Sequence, residues 1–398
     1  MAKTAILREI SAPAIWAGVT AFVWYAFGAV PLHIAVSQQL HLSVAQTSSW
    51  IFIVWASGAV SSIGLSFYYR QPIPITWTIP GLIYLGTLAD RFTFAELVGA
   101  NLVAGILLLA LGLLGVGARV MKWLPLPIIM GMFGGSILAY VTRMVIATVQ
   151  DFAVAGVTVA GYLFGRWLGS PRVPPVGLAV VTGAIAVAIA GTSAPVSAEW
   201  TLPSLLVPEM QFSGAAVIAV TVPMVILAMG LGNVQGIGFL LAQGYKVPVN
   251  TVSTVVGINS VVNAFLGGHP ATVARTGVAI LAAPDAGAPS GRYWAVIVSA
   301  ALTFVMALAA TPVASLLAVL PKSYIFALAG VAIISSLQDA LAKSFGGEMQ
   351  FGALVAFAVA ATPFAVFGVT SAFWAIIAGL AASLLAERAQ LVAFWRKS

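Results

Sequence analysis

The sequence contains no cysteine and few charged residues. Because cysteine is absent from all 398 residues, disulfide bonds and cysteine-ligated metal sites are excluded. Charged residues make up only 7% of the chain, against roughly a quarter in a soluble domain, and 61% of the residues are hydrophobic. A water-soluble fold would leave apolar surface exposed, whereas a bilayer can cover it. The composition predicts a polytopic membrane protein with roughly twelve to fourteen spans of about 20 residues.

A cleavable signal peptide and the motifs of membrane enzymes are also missing. The first apolar run, from about Ala12 to Val36, is too long for a signal peptide and has no small-residue cleavage site, so it is interpreted as the first span. No His/Asp/Glu cluster has a usable spacing, and neither HExxH nor GxSxG occurs. We therefore predict no catalytic residues, no metal and no cofactor.

The net charge of +7 is interpreted as a topology signal, because the basic residues are scattered at span ends. Nucleic acid is not an expected partner. With both termini cytoplasmic, most basic residues lie at cytoplasmic ends: Lys3, Arg8, Arg70, Arg119, Lys122, Arg166, Arg172, Lys246, Arg292, Lys343, Arg388, Arg396 and Lys397. Arg91, Arg143 and Lys322 lie at the outer side. We expect a multi-pass protein of a bacterial-type inner (plasma) membrane.

Two apolar segments, 72–89 and 270–284, are short and interrupted near their start. Pro72 and Pro74 forbid a regular helix through the beginning of the first of them. This segment is predicted to be extended before Pro80 and to continue as a half-helix. The second segment has the same plan around Pro270. These are the third and tenth predicted spans.

The two interrupted segments are related by an offset of 196 residues. Pairs at this offset are Pro74 and Pro270, Thr76 and Thr272, Gly81 and Gly277, Leu85 and Leu281, Leu124-Pro125 and Leu320-Pro321, Ile129 and Ile325, and Gly134 and Gly330. The alternative is chance matching among small and apolar residues. Because each half would hold seven spans, an odd number, the second half would enter the membrane from the opposite side.

The expected fold class is therefore an all-α polytopic membrane protein of about 14 spans in a 7+7 inverted repeat. Short extended segments precede the half-helices of spans three and ten. The first repeat covers residues 1–192 and the second covers residues 213–390. The twelfth span is placed at residues 313–337.

Irregular backbone at membrane depth is tolerated only where protein or a water-filled cavity covers it. In transporters, paired broken helices mark the substrate site. Each half-helix N-terminus presents free N–H groups and a partial positive charge, so two of them meeting near the midplane are predicted to bind an anion. The extended stretches could pair and satisfy each other's backbone groups. A pair of simple kinks is the structural alternative.

Candidate substrate-binding residues lie in these segments, in the eighth span and in the first span. Polar and small residues at the breaks or in the Gly-rich eighth span could hold the charged end of the anion: Thr76, Thr78, Gly81, Asn233, Gln235 and Thr272. Aromatic residues could form an apolar wall against a ring: Tyr25, Phe27 and Trp77. Interhelical packing is the alternative for the eighth-span residues.

Arg275 and His269 are the charged and titratable candidates. Arg275 lies inside the tenth span, where a charge needs a carboxylate, backbone carbonyls or an anionic ligand. It either binds the substrate or points away from the cavity. His269 precedes the tenth half-helix and is a candidate proton carrier, since histidine titrates near physiological pH. A neutral helix cap is the alternative.

Four motifs carry a family resemblance: residues Pro74 to Gly81, Asn233 to Ile237 followed by Gln243-Gly244-Tyr245, Leu320 to Ile325, and Ser371-Ala372-Phe373-Trp374. In these the chain resembles the BenE-type benzoate:proton symporters over most of its length. More distantly it is similar to the nucleobase permeases and the sulfate/anion transporters. The resemblance implies a core domain from 12–117 and 213–310 and a gate domain from 124–191 and 313–388. It also implies elevator-like movement of core against gate, and a homodimer through the gate domains.

The tenth span departs from the family pattern. That span usually continues into an Asn-containing, alanine-rich helix without arginine, whereas Ala274-Arg275-Thr276 is more similar to the sulfate/anion transporters. The glutamates of nucleobase permeases are absent from the eighth and tenth spans. We therefore expect a secondary transporter that imports a small aromatic carboxylate such as benzoate, together with a proton. The alternative is a facilitative transporter, exchanger or channel for an inorganic anion such as sulfate or bicarbonate.

Overall fold

The computed structural model describes residues 9–116, 123–170, 173–192, 201–203 and 205–397. Several predicted topology residues lie outside these ranges: Lys3, Arg8, Arg119, Lys122 and Arg172. The elements of the first half are α1 (Ala12–Gln39), α2 (Val44–Tyr69), β1 (Ile75–Trp77), α3 (Ile79–Gly86), α4 (Phe94–Leu113), α5 (Leu126–Gln150), α6 (Phe152–Leu168) and α7 (Pro175–Ala190).

The second half begins with one long helix and contains the second interrupted segment. Its elements are α8 (Gly214–Ala242), α9 (Val249–Phe265), β2 (Ala271–Val273), α10 (Arg275–Leu281), α11 (Tyr293–Leu308), α12 (Ala310–Val319), α13 (Lys322–Phe345), α14 (Gln350–Ala361), β3 (Ala365–Val366), β4 (Val369–Thr370), α15 (Ser371–Ala386) and α16 (Arg388–Lys397). Two short π-helical stretches lie within α8, at Val217–Thr221 and Leu227–Val234.

Side-chain caps and prolines set many helix starts. Capping boxes begin α2, through Ser43 and Gln46, and α4, through Thr93 and Glu96. Pro125 precedes α5, where its missing N–H has no helical partner to lose. The capping residues and prolines visible in the sequence therefore explain where these helices begin.

Seven helices in the described part of the chain are long and apolar enough to cross a membrane, or eight if the bent pair α15 and α16 is counted as one span. Shorter apolar helices are α6, α7, α9 and α14. The structure confirms a mostly helical, multi-span protein. The count of fourteen spans and the inverted repeat stay predictions.

The expected twelfth span at 313–337 is wrong in its boundaries. Helix α12 ends at Val319, and α13 begins at Lys322 and continues to Phe345. Pro321 separates them, because it has no N–H to continue the helical hydrogen bonds of α12. The predicted gate boundary at residue 313 accordingly falls within α12.

Packing divides most of the helices into two groups. In the first, named the ribbon bundle, α2 and α1 pack against α11, and α4 packs against α9 and α8, with β1 and β2 between them. The half-helices α3 and α10 pack against α1 and belong to the same bundle. The second, named the companion bundle, is centred on α5, which packs against α13 and α14. Helix α15 packs on α14, and α6 packs on α7. Strand β4 packs on α15 and belongs to the companion bundle. The contacts of α11 with α1 and α2, of α9 with α4, and of α13 and α14 with α5 join helices from opposite halves of the sequence.

Candidate functional site

The two interrupted segments meet in an antiparallel two-stranded ribbon. The register pairs Ile75 with Val273, Thr76 with Thr272, and Trp77 with Ala271. Flanking hydrogen bonds extend it, because Thr78 N donates to Pro270 O at 3.0 Å and Ala274 N donates to Pro74 O at 2.9 Å. The predicted pairing of extended stretches is confirmed. Thr76 and Thr272, which the 196-residue offset equates, lie directly opposite each other.

Side chains from neighbouring helices satisfy the outer edges of the ribbon. Ser62 Oγ of α2 accepts from Ile75 N at 2.7 Å and donates to Ile75 O at 2.9 Å. On the other strand, Ser260 Oγ of α9 accepts from Ala271 N at 3.0 Å. Unpaired backbone groups at membrane depth are costly, so these serines explain how so short a ribbon persists there.

Asn233 holds the ribbon against α8. Its Oδ1 accepts from Val273 N at 2.9 Å and from Thr272 Oγ1 at 3.2 Å. The side chain is almost fully buried, and it lies in the π-helical stretch of α8. Gly232 precedes it, and a Cβ there would overlap Thr272 Oγ1 and lie 2.7 Å from Thr272 Cβ. The Gly-rich patch of the eighth span thus permits close approach of α8 to β2.

The two half-helices begin directly after the strands, but their first turns differ. Thr78 caps α3 by accepting from Gly81 N at 3.2 Å. A Cβ at Gly81 would overlap the Thr78 methyl group and lie 2.8 Å from Met224 Sδ, which excludes larger residues. Helix α10 begins with Arg275 after Ala274, which offers no side-chain cap. The first N–H groups of α10 therefore lack the side-chain acceptor that α3 has.

A cavity of about 90 Å³, named the central cavity, lies between the ribbon and the companion bundle. The ribbon bundle contributes Tyr25, Ala29, Thr76, Trp77, Thr78, Ile79, Pro80, Leu227, Leu231, Gly232, Thr272, Val273, Ala274, Arg275, Thr276 and Gly277. The companion bundle contributes Met130, Phe133 and Ser336, which the sequence reasoning did not identify. A mixed lining of this kind suits a ligand with one apolar part and one polar end.

The structure brings together six of the predicted site residues on the central cavity: Tyr25, Thr76, Trp77, Thr78, Thr272 and Arg275. Gly81, Asn233, Gln235 and His269 are not part of its lining, and the first two shape the ribbon and α3 instead. Phe27 lines a separate apolar cavity of about 250 Å³, formed by α1, α7, α11, α12 and α13. The Tyr25 hydroxyl is buried and has no hydrogen-bond partner among the described residues.

Arg275 is paired across the two bundles. Its Nη1 lies 3.0 Å from Asp339 Oδ2 on α13 and 3.1 Å from Gln235 Oε1 on α8. Lys343 Nζ, one turn further along α13, lies 3.0 Å from the same carboxylate. One carboxylate therefore faces two cations, and the cluster carries a net charge of +1.

Asp339 was not among the candidate residues predicted from the sequence. Asp339 lies beyond the expected end of the twelfth span at residue 337, and the true extent of α13 places it opposite Arg275. The sequence feature that could have identified this carboxylate is the i, i+4 spacing of Asp339 and Lys343, which is typical of an ion pair on a helix. The side chains of Arg275 and Asp339 are 34% and 35% exposed, so the pair lies at the edge of the central cavity.

Behind the ribbon, His269 lies in a buried aromatic cluster. Its Nδ1 accepts from Trp50 Nε1 at 2.9 Å, which leaves Nε2 as the nitrogen that carries hydrogen in the neutral ring. The Thr78 carbonyl also faces this ring. Within the described ranges, Nε2 has no partner that meets hydrogen-bond geometry.

His33 of α1 lies beside His269, with their ring centroids 5.9 Å apart. Its Nδ1 donates to Ala29 O at 3.0 Å, so its Nε2 is left with a free lone pair. The ring of Trp77 lies 5.6 Å away, which connects this histidine to a residue of the central cavity. His33 was not among the candidate residues predicted from the sequence. The visible signal was a histidine inside an apolar run.

Solved structures share this fold. The transmembrane domain of a cyanobacterium bicarbonate transporter, BicA, matches with a TM-score of 0.56 at 17% identity, covering 96% of this chain and 97% of that one. The structure of SLC26A9 matches with a TM-score of 0.62 at 14% identity, covering 96% of this chain and 65% of that one. At such low identity the similarity concerns the fold alone.

Curated relatives match over nearly the whole chain. The inner membrane protein YdcO of Escherichia coli (strain K12) is 28% identical over 357 residues, covering 87% of this chain and 90% of the relative. The benzoate membrane transport protein of Acinetobacter baylyi is 24% identical over 379 residues, covering 94% and 95%. The family model for BenE, described as benzoate membrane transport protein, matches residues 8–385. The chain therefore belongs to the BenE family of membrane transport proteins.

Proposed function

We propose that this protein imports a small aromatic carboxylate such as benzoate together with a proton. The observation that carries the proposal is the central cavity, which is lined both by Arg275, at the start of a half-helix, and by the apolar side chains of Trp77, Met130 and Phe133. The guanidinium group can bind a carboxylate with two hydrogen bonds. The aromatic and aliphatic side chains can pack on a ring.

In this proposal, the ribbon holds the anion from one side. Thr76 and Thr272 project from paired positions on the two strands, and the positive end of α10 lies beside Arg275. Tyr25 adds a hydroxyl without a partner in the described structure. At about 90 Å³, the central cavity is smaller than the roughly 300 Å³ at which small-molecule sites begin. Binding of an aromatic acid therefore requires the cavity to widen.

Widening requires separation of the two bundles, and the ion pair of Asp339 with Arg275 is one contact that opposes it. The carboxylate of Asp339 forms this ion pair with Arg275 from the companion bundle. The carboxylate of the substrate would bind the same guanidinium group from the cavity. An arriving anion competes with Asp339 and releases one contact between the bundles. The ribbon bundle then corresponds to the expected core domain and the companion bundle to the gate domain, and their relative movement gives elevator-type alternating access.

A coupled proton removes an electrical penalty on import. An inside-negative potential opposes entry of a monoanion by about 2.3 kcal/mol per 100 mV, and one proton per anion cancels that charge. His269 is the proposed proton carrier, with His33 as its neighbour. Trp77 lies against His33 and also lines the central cavity, which offers a short route between the proton and substrate sites.

The test is uptake of labelled benzoate into proteoliposomes under an imposed pH gradient, acidic on the side that the outer face would meet. We expect accumulation that a protonophore abolishes and that Arg275→Gln reduces through weaker affinity. Absence of benzoate uptake in either direction would refute the substrate assignment. An uptake rate that changes with neither the pH gradient nor the protonophore would refute proton coupling.

Facilitated transport or exchange of an inorganic anion is the second candidate. The net positive charge of the Arg275, Asp339 and Lys343 cluster supports it, because it would attract sulfate or bicarbonate equally. Competition distinguishes the two. Excess sulfate or bicarbonate should leave labelled benzoate uptake unchanged under the first proposal and suppress it under the second.

A further inference from the structure

A second cavity, named the polar vestibule, lies between the two bundles and is separate from the central cavity. It has a volume of about 350 Å³, within the range of roughly 300–1,000 Å³ typical of small-molecule sites. Both cavities touch α5: Phe133 lines the central cavity, and Arg143 lines the vestibule. Gly135 of α5 also lines the vestibule, only two positions beyond Phe133, so the two cavities are neighbours along this helix.

Two buried tyrosines close the space between the bundles at the vestibule. Tyr140 of α5 donates to Ile83 O of α3 at 3.0 Å, and the hydroxyls of Tyr84 and Thr370 lie 3.2 Å apart. Both contacts join the ribbon bundle to the companion bundle. Tyr84 and Tyr140 line the vestibule, and neither lines the central cavity. The hydroxyls of Tyr84 and Tyr140 therefore form a hydrogen-bonded layer in the wall of the vestibule that the central cavity does not share.

The charge of the vestibule is positive and poorly neutralised. Arg91 and Arg143 line it together with one carboxylate, Asp90, so these groups sum to +1. In the described ranges neither arginine forms an ion pair, whereas Arg70 and Arg275 each have a carboxylate within 4 Å. The vestibule thus presents two guanidinium groups without a carboxylate partner.

A third donor lies on the same wall. Gln39 lines the vestibule, and its Oε1 accepts from the Tyr140 hydroxyl at 3.3 Å. Its Nε2 is buried, and no acceptor for it exists among the residues that the structure describes. A buried donor without an acceptor is costly, and the oxygen of a bound anion or of water would satisfy it.

We propose that the polar vestibule is a second anion-binding site, in which Arg91 and Arg143 bind the carboxylate of a small organic anion before it passes the tyrosine layer. The identity of that anion rests on the proposed function, whereas the site itself rests on the donors described above. The polar vestibule and the central cavity would then be two binding sites on one transport pathway, reached from opposite sides of the membrane. With both termini cytoplasmic, the vestibule faces the outside of the cell.

The absence of cysteine from the chain allows a direct test. Ala139 is exposed and lines the vestibule, so Ala139→Cys introduces a single thiol there. Purified protein in proteoliposomes is treated with a methanethiosulfonate reagent that carries a trimethylammonium group, and benzoate is added as the probe. We expect the thiol to react and benzoate to slow the reaction in a saturable manner.

Added substitutions identify the source of that protection. Charge-assisted hydrogen bonds contribute about 1.5–3 kcal/mol each, so Arg91→Gln with Arg143→Gln should raise the half-protecting benzoate concentration at least about tenfold. Arg166→Gln removes the same charge from an exposed position on α6 and should leave protection unchanged. Arg275→Gln should also preserve protection, because Arg275 does not line the vestibule.

Three results would overturn the vestibule site: a thiol at position 139 that does not react, no protection by benzoate, or protection that is lost with Arg275→Gln but kept in the double arginine variant. Benzoate uptake by the same proteoliposomes tests the proposed function separately. Arginine-dependent protection without uptake would refute benzoate transport and support the vestibule site. Normal uptake without protection would refute the vestibule site alone.

Discussion

Asp339→Asn is expected to tighten benzoate binding, although it removes an ion pair. Asp339 Oδ2 lies 3.0 Å from Arg275 Nη1, and both side chains are about one third exposed, at 35% and 34%. Ion pairs with such access to solvent contribute about 0.2–1 kcal/mol. If the anion must displace Asp339 from Arg275, removal of the competing carboxylate makes the free energy of benzoate binding more favourable by up to about 1 kcal/mol. The dissociation constant then falls by up to about fivefold.

The assay is equilibrium binding of labelled benzoate to purified protein at fixed pH. The gain in affinity should shrink as salt is raised, because the Debye length falls from about 10 Å at 0.1 M to about 3 Å at 1 M. Glu348→Gln is the matched control, since it removes one negative charge from an exposed position just beyond α13, and should have no effect.

A double-mutant cycle tests the mechanism rather than the charge alone. In an Arg275→Gln background, Asp339→Asn should change affinity little, because there is no guanidinium left to release. Weaker binding by Asp339→Asn alone would contradict the competition argument and would assign Asp339 a direct role in holding the substrate. An equal gain in the absence of Arg275 would indicate a general field effect.

Two further substitutions test the ribbon and the histidine. Gly232→Ala should abolish uptake and lower the thermal midpoint of the purified protein, because its Cβ would overlap Thr272. Gly238→Ala, in open space on the same helix, should do neither, and equal damage by both would refute the steric argument. His269→Gln should remove the stimulation of uptake by a pH gradient while retaining benzoate binding, whereas His41→Gln at an exposed position should behave like the unmodified protein. Persisting stimulation in His269→Gln would exclude this residue as the proton carrier.

The two interrupted segments at the centre of the fold were predicted from the sequence. Proline at positions 72, 74 and 270, with β-branched neighbours, excluded regular helix and predicted two extended stretches followed by half-helices. The structure contains both strands and pairs them, with Thr76 opposite Thr272. Such local features are predictable because proline acts through its own backbone and needs no distant partner.

The roles of individual side chains were harder to predict from the sequence, because they depend on which helices pack against each other. Asn233 was expected to bind substrate on account of its amide, and the structure uses that amide to accept the Val273 N–H. Phe27 was expected in the aromatic wall, and it lies in a separate apolar cavity. Two positions along a helix rotate a side chain by about 200°, onto nearly the opposite face, and a mean hydropathy pattern does not resolve that difference in an all-apolar helix.

The sequence by itself determined that the chain spans a membrane, where its backbone breaks, and that a charge lies beside one break, because composition, proline and a lone arginine are properties of a single segment. Only the tertiary structure decided what surrounds that charge. Asp339 and Lys343 meet Arg275, and His33 meets His269, through helix packing between segments 64 to 236 residues apart in the chain. Pairings at that separation depend on the shape of the whole molecule, since no local rule of chain geometry brings such residues together.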